Sequence, residues 1–214
     1  LKLASSFDGR IATGTGESQW ITGKQARRFV HAMRARHDAV IVGGGTARKD
    51  DPSLTVRGLG VDWQPMRVVV SRRLDLPLMG TLARTAHEVP VILCHGHGAD
   101  ATLIKAWQDL GATLLPCETT GTQLDPSDVL HQLARHGFTR LFCEGGSALA
   151  ASFLEADLVD ELVGFTAGAV IGAEGLPSVG ALGLSHLRDA PRFEIAEIQP
   201  IGGDIQHVWR RLMR

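Results

Sequence analysis

The residues best placed to do chemistry sit in one stretch, Ala39–Arg57, which reads Ala-Val-Ile-Val-Gly-Gly-Gly-Thr-Ala-Arg-Lys-Asp-Asp-Pro-Ser-Leu-Thr-Val-Arg. Gly43, Gly44 and Gly45 would let a ligand approach the backbone, and Thr46 could cap the turn that follows. Two carboxylates, Asp50 and Asp51, come next, with Arg57 trailing them. A second turn of similar make-up is Gly145-Gly146-Ser147. Helix N-termini present unpaired N–H groups and about half a positive charge, which suits a phosphate. Two such turns at the ends of neighbouring parallel strands would fit a pyrophosphate. A tight strand-to-helix turn with solvated charges explains either one alone equally well. Neither turn reads G-x-G-x-x-G with an acidic residue about 20 positions on, and neither continues into Gly-Lys-Ser/Thr. The dinucleotide fingerprint and the Walker A loop are therefore both absent.

Elements must hold these turns in place. Ala39–Val42 is an apolar run without alternation, the pattern of a strand covered on both faces in a parallel sheet. Pro52 closes the turn that starts near Thr46, because the residue before a proline avoids helical angles. Further strands are expected at Leu1–Ser6, Arg67–Val70, Pro90–Leu93, Ala112–Leu115, Arg140–Cys143 and Val159–Phe165. Helices are expected over Lys24–Arg36 with Thr22 as N-cap, Ala99–Leu110, Pro126–His136 after Asp125 or Asp128, and from Ser147 to about Glu155. Ala26, Phe29, Val30 and Met33 share one face of the first helix. Leu74–Glu88 has no clean period, and Gly58–Gln64 and His95-Gly-His-Gly read as loops. Phe193–Ile198 and Ile205–Arg210 alternate around Gly202-Gly203-Asp204, the strongest hairpin signal in the chain. The fold class is α/β: a mostly parallel central sheet finished by a C-terminal antiparallel hairpin, in one domain over residues 1–214.

The totals narrow the field. A net charge of −1 over 214 residues argues against a nucleic-acid surface. Cys94, Cys117 and Cys143 are odd in number and lack C-x-x-C spacing, so neither a zinc framework nor a disulfide scaffold is expected. No apolar run reaches the roughly 20 residues of a membrane span. No signal peptide opens the chain, although it begins at Leu1, and a cytoplasmic protein is expected. His31, His37, His95, His97, His131 and His136 have no cysteine or carboxylate cluster at ligand spacing, so no metal is expected. Cys143, before Glu144 on a buried strand, reads as a small core residue rather than a nucleophile.

Several blocks carry a resemblance. Lys2-Leu-Ala-Ser-Ser-Phe-Asp-Gly-Arg-Ile-Ala12, Gly16-Glu-Ser-Gln-Trp-Ile-Thr22, Gly45-Thr46 with Asp50–Arg57, and Glu144-Gly-Gly146 occur in order from Lys2 to about Gly172. The chain resembles the reductase domain of bacterial riboflavin-biosynthesis deaminase/reductase proteins, which has a three-layer, dihydrofolate-reductase-like fold. The resemblance implies NADPH-dependent reduction of 5-amino-6-(5-phosphoribosylamino)uracil, with hydride delivered to the ribose C1′ to give the ribitylamino product. It implies that Ala4, Trp20, Thr46, Asp50 and Ser71 border the cofactor, and that Gly146, Ser147, Ala148 and Leu149 lie along its phosphates. It further implies that Ser18, Arg34, Leu54, Arg57 and Glu144 hold the substrate, with Arg34 and Arg57 as a phosphate clamp, since a guanidinium matches phosphate geometry and keeps its charge. Asp50 is the candidate proton donor. Lys2 and Glu144 are candidates to bind the ribityl hydroxyls or the pyrimidine. Arg72 and Arg73 follow Ser71 and could read a 2′-phosphate. A homodimer is implied too, with the C-terminal strands as contact.

Two departures bear on function. No H-x-E followed by P-C-x-x-C occurs, so no zinc deaminase is encoded here, and an N-terminal deaminase domain is absent from this chain. Ser5-Ser6-Phe7 and the polar Arg48-Lys49 vary the family pattern. A reductase of this fold acting on another pyrimidine or pteridine-like compound is the alternative. A non-catalytic NADPH-binding domain is less favoured, since binding a dinucleotide does not require Arg34 and Arg57.

Overall fold

In the computed structural model of the chain, which describes residues 1–212, the stretch Ala39–Val42 is 0–1% exposed. The strands among the described residues are β1 (Lys2–Ser6), β2 (Arg10–Ala12), β3 (Ala39–Gly43), β4 (Met66–Val70), β5 (Val91–Gly96), β6 (Thr113–Cys117), β7 (Thr119–Thr120), β8 (Gln123–Leu124), β9 (Leu141–Gly145), β10 (Glu161–Ala167), β11 (Leu176–Pro177), β12 (Phe193–Ile201) and β13 (Asp204–Arg211). The α-helices are α1 (Lys24–Arg34), α2 (Gly44–Asp50), α3 (Thr81–Arg84), α4 (Ala101–Asp109), α5 (Pro126–Arg135) and α6 (Ser147–Glu155). Contacts divide the chain into two compact units: Leu1–Val30 with the chain from Glu144 onward, and His31–Cys143. The boundaries fall inside α1 and β9.

The His31–Cys143 unit carries the parallel sheet, in the order β6-β5-β4-β3 with β9 beyond β3. β3 pairs with β4, β4 with β5 and β5 with β6, all parallel. The apolar runs are strands because both faces of such a sheet are covered. Val68, Val69 and Leu93 are wholly buried. β5 runs on through His95 and Gly96, where a loop was expected. Gly96 permits this, because a Cβ there would lie 3.1 Å from Arg72 Cγ and 3.3 Å from Thr119 Cγ2. Asp100 and Asp125 cap α4 and α5 through the amides of Thr102 (2.7 Å) and Ser127 (2.8 Å). α3 lies in the segment expected to be irregular. Its cap comes from afar: Asp51 accepts from Thr81 N at 2.6 Å and Thr81 Oγ1 at 2.8 Å.

One charged side chain is fully inside this unit. Arg67 donates to Thr85 Oγ1 (2.8 Å), the Thr85 carbonyl (2.9 Å), the Ser53 carbonyl (3.3 Å) and the Val89 carbonyl. Its Nε is buried without a partner among the described residues. Burial lowers the guanidinium to about 10, with Glu88 opposing. Desolvating a cation costs several kcal/mol, which the ring of carbonyls offsets.

The other unit holds a four-stranded sheet, β1-β10-β13-β12, in which β1 runs parallel to β10 and the remaining pairs are antiparallel. The hairpin and first strand thus form a sheet of their own. Which strands pair is a long-range choice that local pattern does not encode. α1 buries Ala26, and Phe29 meets Phe165 edge-on at 5.9 Å. The helix starts after Gly23 instead of taking Thr22 as cap. Arg27 N–H bonds the Gly23 carbonyl at 3.2 Å, while Gly23 N–H is taken by Asp204 Oδ2 from the hairpin turn at 2.7 Å. At its other end α1 stops at Arg34 instead of Arg36, because Arg36 N–H bonds back to Met33 in a tighter turn.

On the opposite face of this sheet His207 lies over Gly164, where a Cβ would come within 1.9 Å of the ring. Its Nδ1 accepts from Trp209 Nε1 at 2.8 Å, so the proton sits on Nε2 and is donated to Thr166 Oγ1 at 3.0 Å. Burial lowers the His207 pKa below its ordinary 6.5. A depressed histidine stabilises the fold above its unfolded pKa, and that stability is lost as pH falls through the folded one. Thermal melting followed from pH 7.5 to pH 5 should therefore show stability declining below about 6.5, with a shallower decline in His207→Gln. Equal slopes for the two proteins would remove His207 as the cause.

Candidate functional site

The expected functional residues fall into two groups, one in each unit. In the His31–Cys143 unit they cluster around the carboxyl ends of β3 and β4. α2 begins at Gly44, two residues before the expected start, so Thr46 does not cap it. Gly43 stands at the cap position with extended backbone and no side-chain cap. The early start depends on Gly44, whose missing Cβ would sit 2.8 Å from Ser71 Oγ. Ser71 is accordingly buried under the helix start, with Asp75 accepting from its hydroxyl at 3.3 Å. Gly45 differs: a Cβ there would meet nothing within 4 Å. Its space is open, and the first amides of α2 have no side-chain cap.

Asp50 ends α2 at the surface, with no hydrogen-bond or ion-pair partner for its carboxylate among the described residues. Crowding by protein atoms raises its pKa above 3.8, and Lys49 opposes this. Asp51 closes the helix in the left-handed region (φ 39°) and holds Thr81. Leu54 is also left-handed (φ 55°) and buried.

Side chains hold the segment that follows. Arg67 grips the Ser53 carbonyl. The Thr55 carbonyl accepts from Arg34 Nη1 at 2.8 Å, and Gln64 bonds both backbone groups of Val56. Arg57 N–H donates to His31 Nδ1 at 3.2 Å, and the same nitrogen is 3.1 Å from the Thr55 carbonyl. One ring nitrogen serves only one of these at a time: bare, it accepts from Arg57; protonated, it donates to Thr55. The Arg57 guanidinium itself is exposed and has no partner among the described residues.

In the other unit, Lys2 and Ala4 lie on β1, opposite Val163 and Phe165 of β10. Gly145 and Gly146 both take positive φ (86° and 75°), which reserves the turn before α6 for glycine. Gly146 caps α6 without a side chain, leaving the amides of Ser147, Ala148 and Leu149 at a bare helix start. The Ser147 carbonyl accepts from Gly180 N at 2.9 Å. Glu144 precedes this turn on β9. Ser18 lies in a loop closed by Thr13, which bonds Glu17 through backbone (2.9 Å) and hydroxyl (3.1 Å). Trp20 is 68% exposed, and the Arg27 guanidinium lies over its ring at 4.3 Å.

Sequence reading passed over several residues that organise these groups. Asp8 accepts from Ser6 Oγ (2.6 Å), Gly172 N (2.7 Å) and Ile171 N (3.1 Å). Those bonds, led by the Ser6 hydroxyl, hold its carboxyl down to about 2. Arg27 and Gln64 carried no local signal. Arg67 did, as a lone cation in the apolar run Met-Arg-Val-Val-Val. Among the described residues no three His, Cys, Asp or Glu side chains gather at metal-binding distance, and no helix is long and apolar enough to cross a membrane.

Comparison with known proteins places this geometry in a family. The riboflavin biosynthesis protein RibD of Escherichia coli K12 is 34% identical over 211 residues, covering 96% of this chain and 57% of its own length. Of solved structures, Acinetobacter baumannii RibD superposes with a TM-score of 0.83 at 29% identity, over 99% of this chain and 56% of that one. A Thermotoga maritima protein described as a diaminohydroxyphosphoribosylaminopyrimidine deaminase/5-amino-6-(5-phosphoribosylamino)uracil reductase gives 0.82 at 28% identity, over 99% and 55%. The fold is thus the dihydrofolate-reductase-like α/β fold of these reductase domains. The chain spans a little over half the length of the bacterial RibD proteins it matches. The family described as the RibD C-terminal domain matches residues 1–207, and this chain belongs to it.

Proposed function

We propose that this chain catalyses the NADPH-dependent reduction of 5-amino-6-(5-phosphoribosylamino)uracil to its ribitylamino product in riboflavin biosynthesis, in the cytoplasm. Family membership supports the reading, as does the reductase activity named for the Thermotoga relative. Three buried cysteines outside any disulfide suit a reducing compartment. The observation that carries it lies within this chain: one pinned segment presents a carboxyl of raised pKa, Asp50, and an unpartnered guanidinium, Arg57. That is an acid and an anion anchor on one short arm. The proposal concerns the reductase step alone, since no H-x-E with P-C-x-x-C occurs in the sequence.

The cofactor fits the residues present. In the His31–Cys143 unit the bare helix start at Gly44 and the open space at Gly45, beside Thr46 and Ser71, suit the phosphates of a dinucleotide; in the other unit the bare helix start at Ser147 suits them too, and Ala4 and Trp20 are proposed to border the cofactor. When bound, reduced nicotinamide supplies the hydride for C1′. Arg34 and Arg57 hold the substrate phosphate, with Leu54 setting the bend of the arm and Ser18 adding a hydroxyl. Lys2 and Glu144 bind the sugar hydroxyls or the pyrimidine. Opening of the ribosylamine leaves an imine carbon at C1′. Protonated Asp50 would give its proton to the imine nitrogen, the charge balance that a hydride at C1′ requires. Solvent returns the proton to Asp50. Desolvation of its carboxyl moves Asp50 toward the protonated form.

The homodimer is part of the proposal. Ile195, Ile198 and Ile205 are each at least 50% exposed and share one face of β12 and β13 with His207 and Trp209, as their register requires. Sedimentation of the wild-type chain should give a dimer, and Ile198→Asp with Ile205→Asp a monomer. A wild-type monomer at micromolar concentration would end that part.

The chemical step has its own test. Asp50→Asn should lower kcat/KM for the aminouracil substrate by about 10²- to 10⁴-fold, read as loss of reduced-nicotinamide absorbance. A carboxyl whose pKa is raised on folding destabilises the fold above that pKa, so the variant should melt no lower than wild type at pH 7. Wild-type activity should fall as pH rises through the Asp50 pKa. Full turnover in Asp50→Asn would take Asp50 out of the chemistry, and turnover of a different heterocycle alone would reassign the substrate.

A further inference from the structure

Resting on the phosphate role proposed for Arg57, we propose that Gln64 is a positioning residue. Its carboxamide fixes the backbone from which Arg57 projects, so that the guanidinium meets a phosphate already oriented. Gln64 Oε1 accepts from Val56 N–H at 2.7 Å, and Gln64 Nε2 donates to the Val56 carbonyl at 3.1 Å. These partners also fix which end of the amide is which. One side chain thus supplies both hydrogen bonds that a neighbouring strand would give, in a stretch with no helix or strand of its own.

Its neighbours are held by the same means. Before Val56, the Thr55 carbonyl accepts from Arg34 Nη1 at 2.8 Å; after it, Arg57 N–H donates to His31 Nδ1 at 3.2 Å. Three consecutive backbones are therefore pinned by side chains, and Val56 is 5% exposed beneath them. What they present is a guanidinium in solvent that makes no bond of its own among the described residues. A loop that only needed to close would not require its backbone matched at each of these positions. Ordering before binding removes part of the entropy that an arginine loses on gripping an anion. The benefit appears only when the anion is present, so Gln64 acts on the phosphate and not on the reacting carbon.

The test separates phosphate from everything else. Q64M, close in volume and without hydrogen bonds, should raise KM for the phosphorylated ribosylaminouracil about tenfold, the worth of two ordinary hydrogen bonds. Its kcat should stay near wild type, and its KM for the dephosphorylated compound should not move. Q64N, one methylene too short to span both groups, should show the same split and guards against a folding defect in Q64M. Calorimetry with ribose 5-phosphate reads the clamp without turnover: R57M should abolish binding and Q64M should weaken it about as much as KM rises. Unchanged constants in both Gln64 variants, or an equal KM rise on the dephosphorylated compound, would overturn the inference. So would ribose 5-phosphate binding that survives R57M. Absent turnover with the aminouracil would defeat the proposed activity alone, because the ribose 5-phosphate titration would still decide the role of Gln64.

Discussion

A fully buried cation governs the arm that carries Asp50 and Arg57. Arg67 sits on a central strand, wholly buried, and the two terminal nitrogens of its guanidinium donate to carbonyls of Ser53, Thr85 and Val89 and to the Thr85 hydroxyl. A buried charge tolerates little displacement of its partners, since each lost bond leaves it facing low dielectric. Ser53 and Thr85 are therefore tied to β4 far more firmly than loop residues usually are. Asp51 ties the same arm to Thr81, and Gln64 ties its far end. The chain between α2 and β4 is a scaffold built from side-chain bonds in place of secondary structure.

Glycine serves three separate purposes at the two turns. Gly44 is small because Ser71 lies under it, whereas Gly45 faces open space. Gly145 and Gly146 are glycine because their backbone is left-handed or beyond. Only the open position and the bare helix starts speak for a ligand; the rest is packing and geometry. Asp50 and Asp8 show the same contrast among carboxylates. Asp8 is lowered to about 2 by the bonds it accepts and works as a clamp, while Asp50 accepts none among the described residues and is raised. Environment, not residue type, sets these two carboxylates apart.

Much of the parallel sheet was readable in advance. Runs such as Ala39–Val42 and Val68–Val70 permit few conformations other than a covered strand, and Asp125, Gly137 and the Gly202-Gly203 turn mark ends by local chemistry alone. Three misread points share a cause. Thr22 failed as a cap because Asp204, 182 positions on, reaches the helix start through Gly23 N–H. α3 was missed because its cap is Asp51, and β5 ran long because Gly96 admits Arg72. In each case the deciding partner lies far away in sequence.

By itself, then, the sequence determined most of the longer strands and helices, where glycine breaks them, and the blocks by which the chain resembles its family. Those features rest on short-range sterics, burial pattern and residue chemistry, all local. Only the tertiary structure decided that β1 joins the hairpin in a second sheet, that Ser71 is roofed by Gly44, and that Arg27 covers Trp20. It also decided which backbone groups Arg67, Gln64 and His31 satisfy. A buried or half-buried polar group must find a partner somewhere, but its own neighbourhood in the chain does not say which, because folding brings that partner in from a distance.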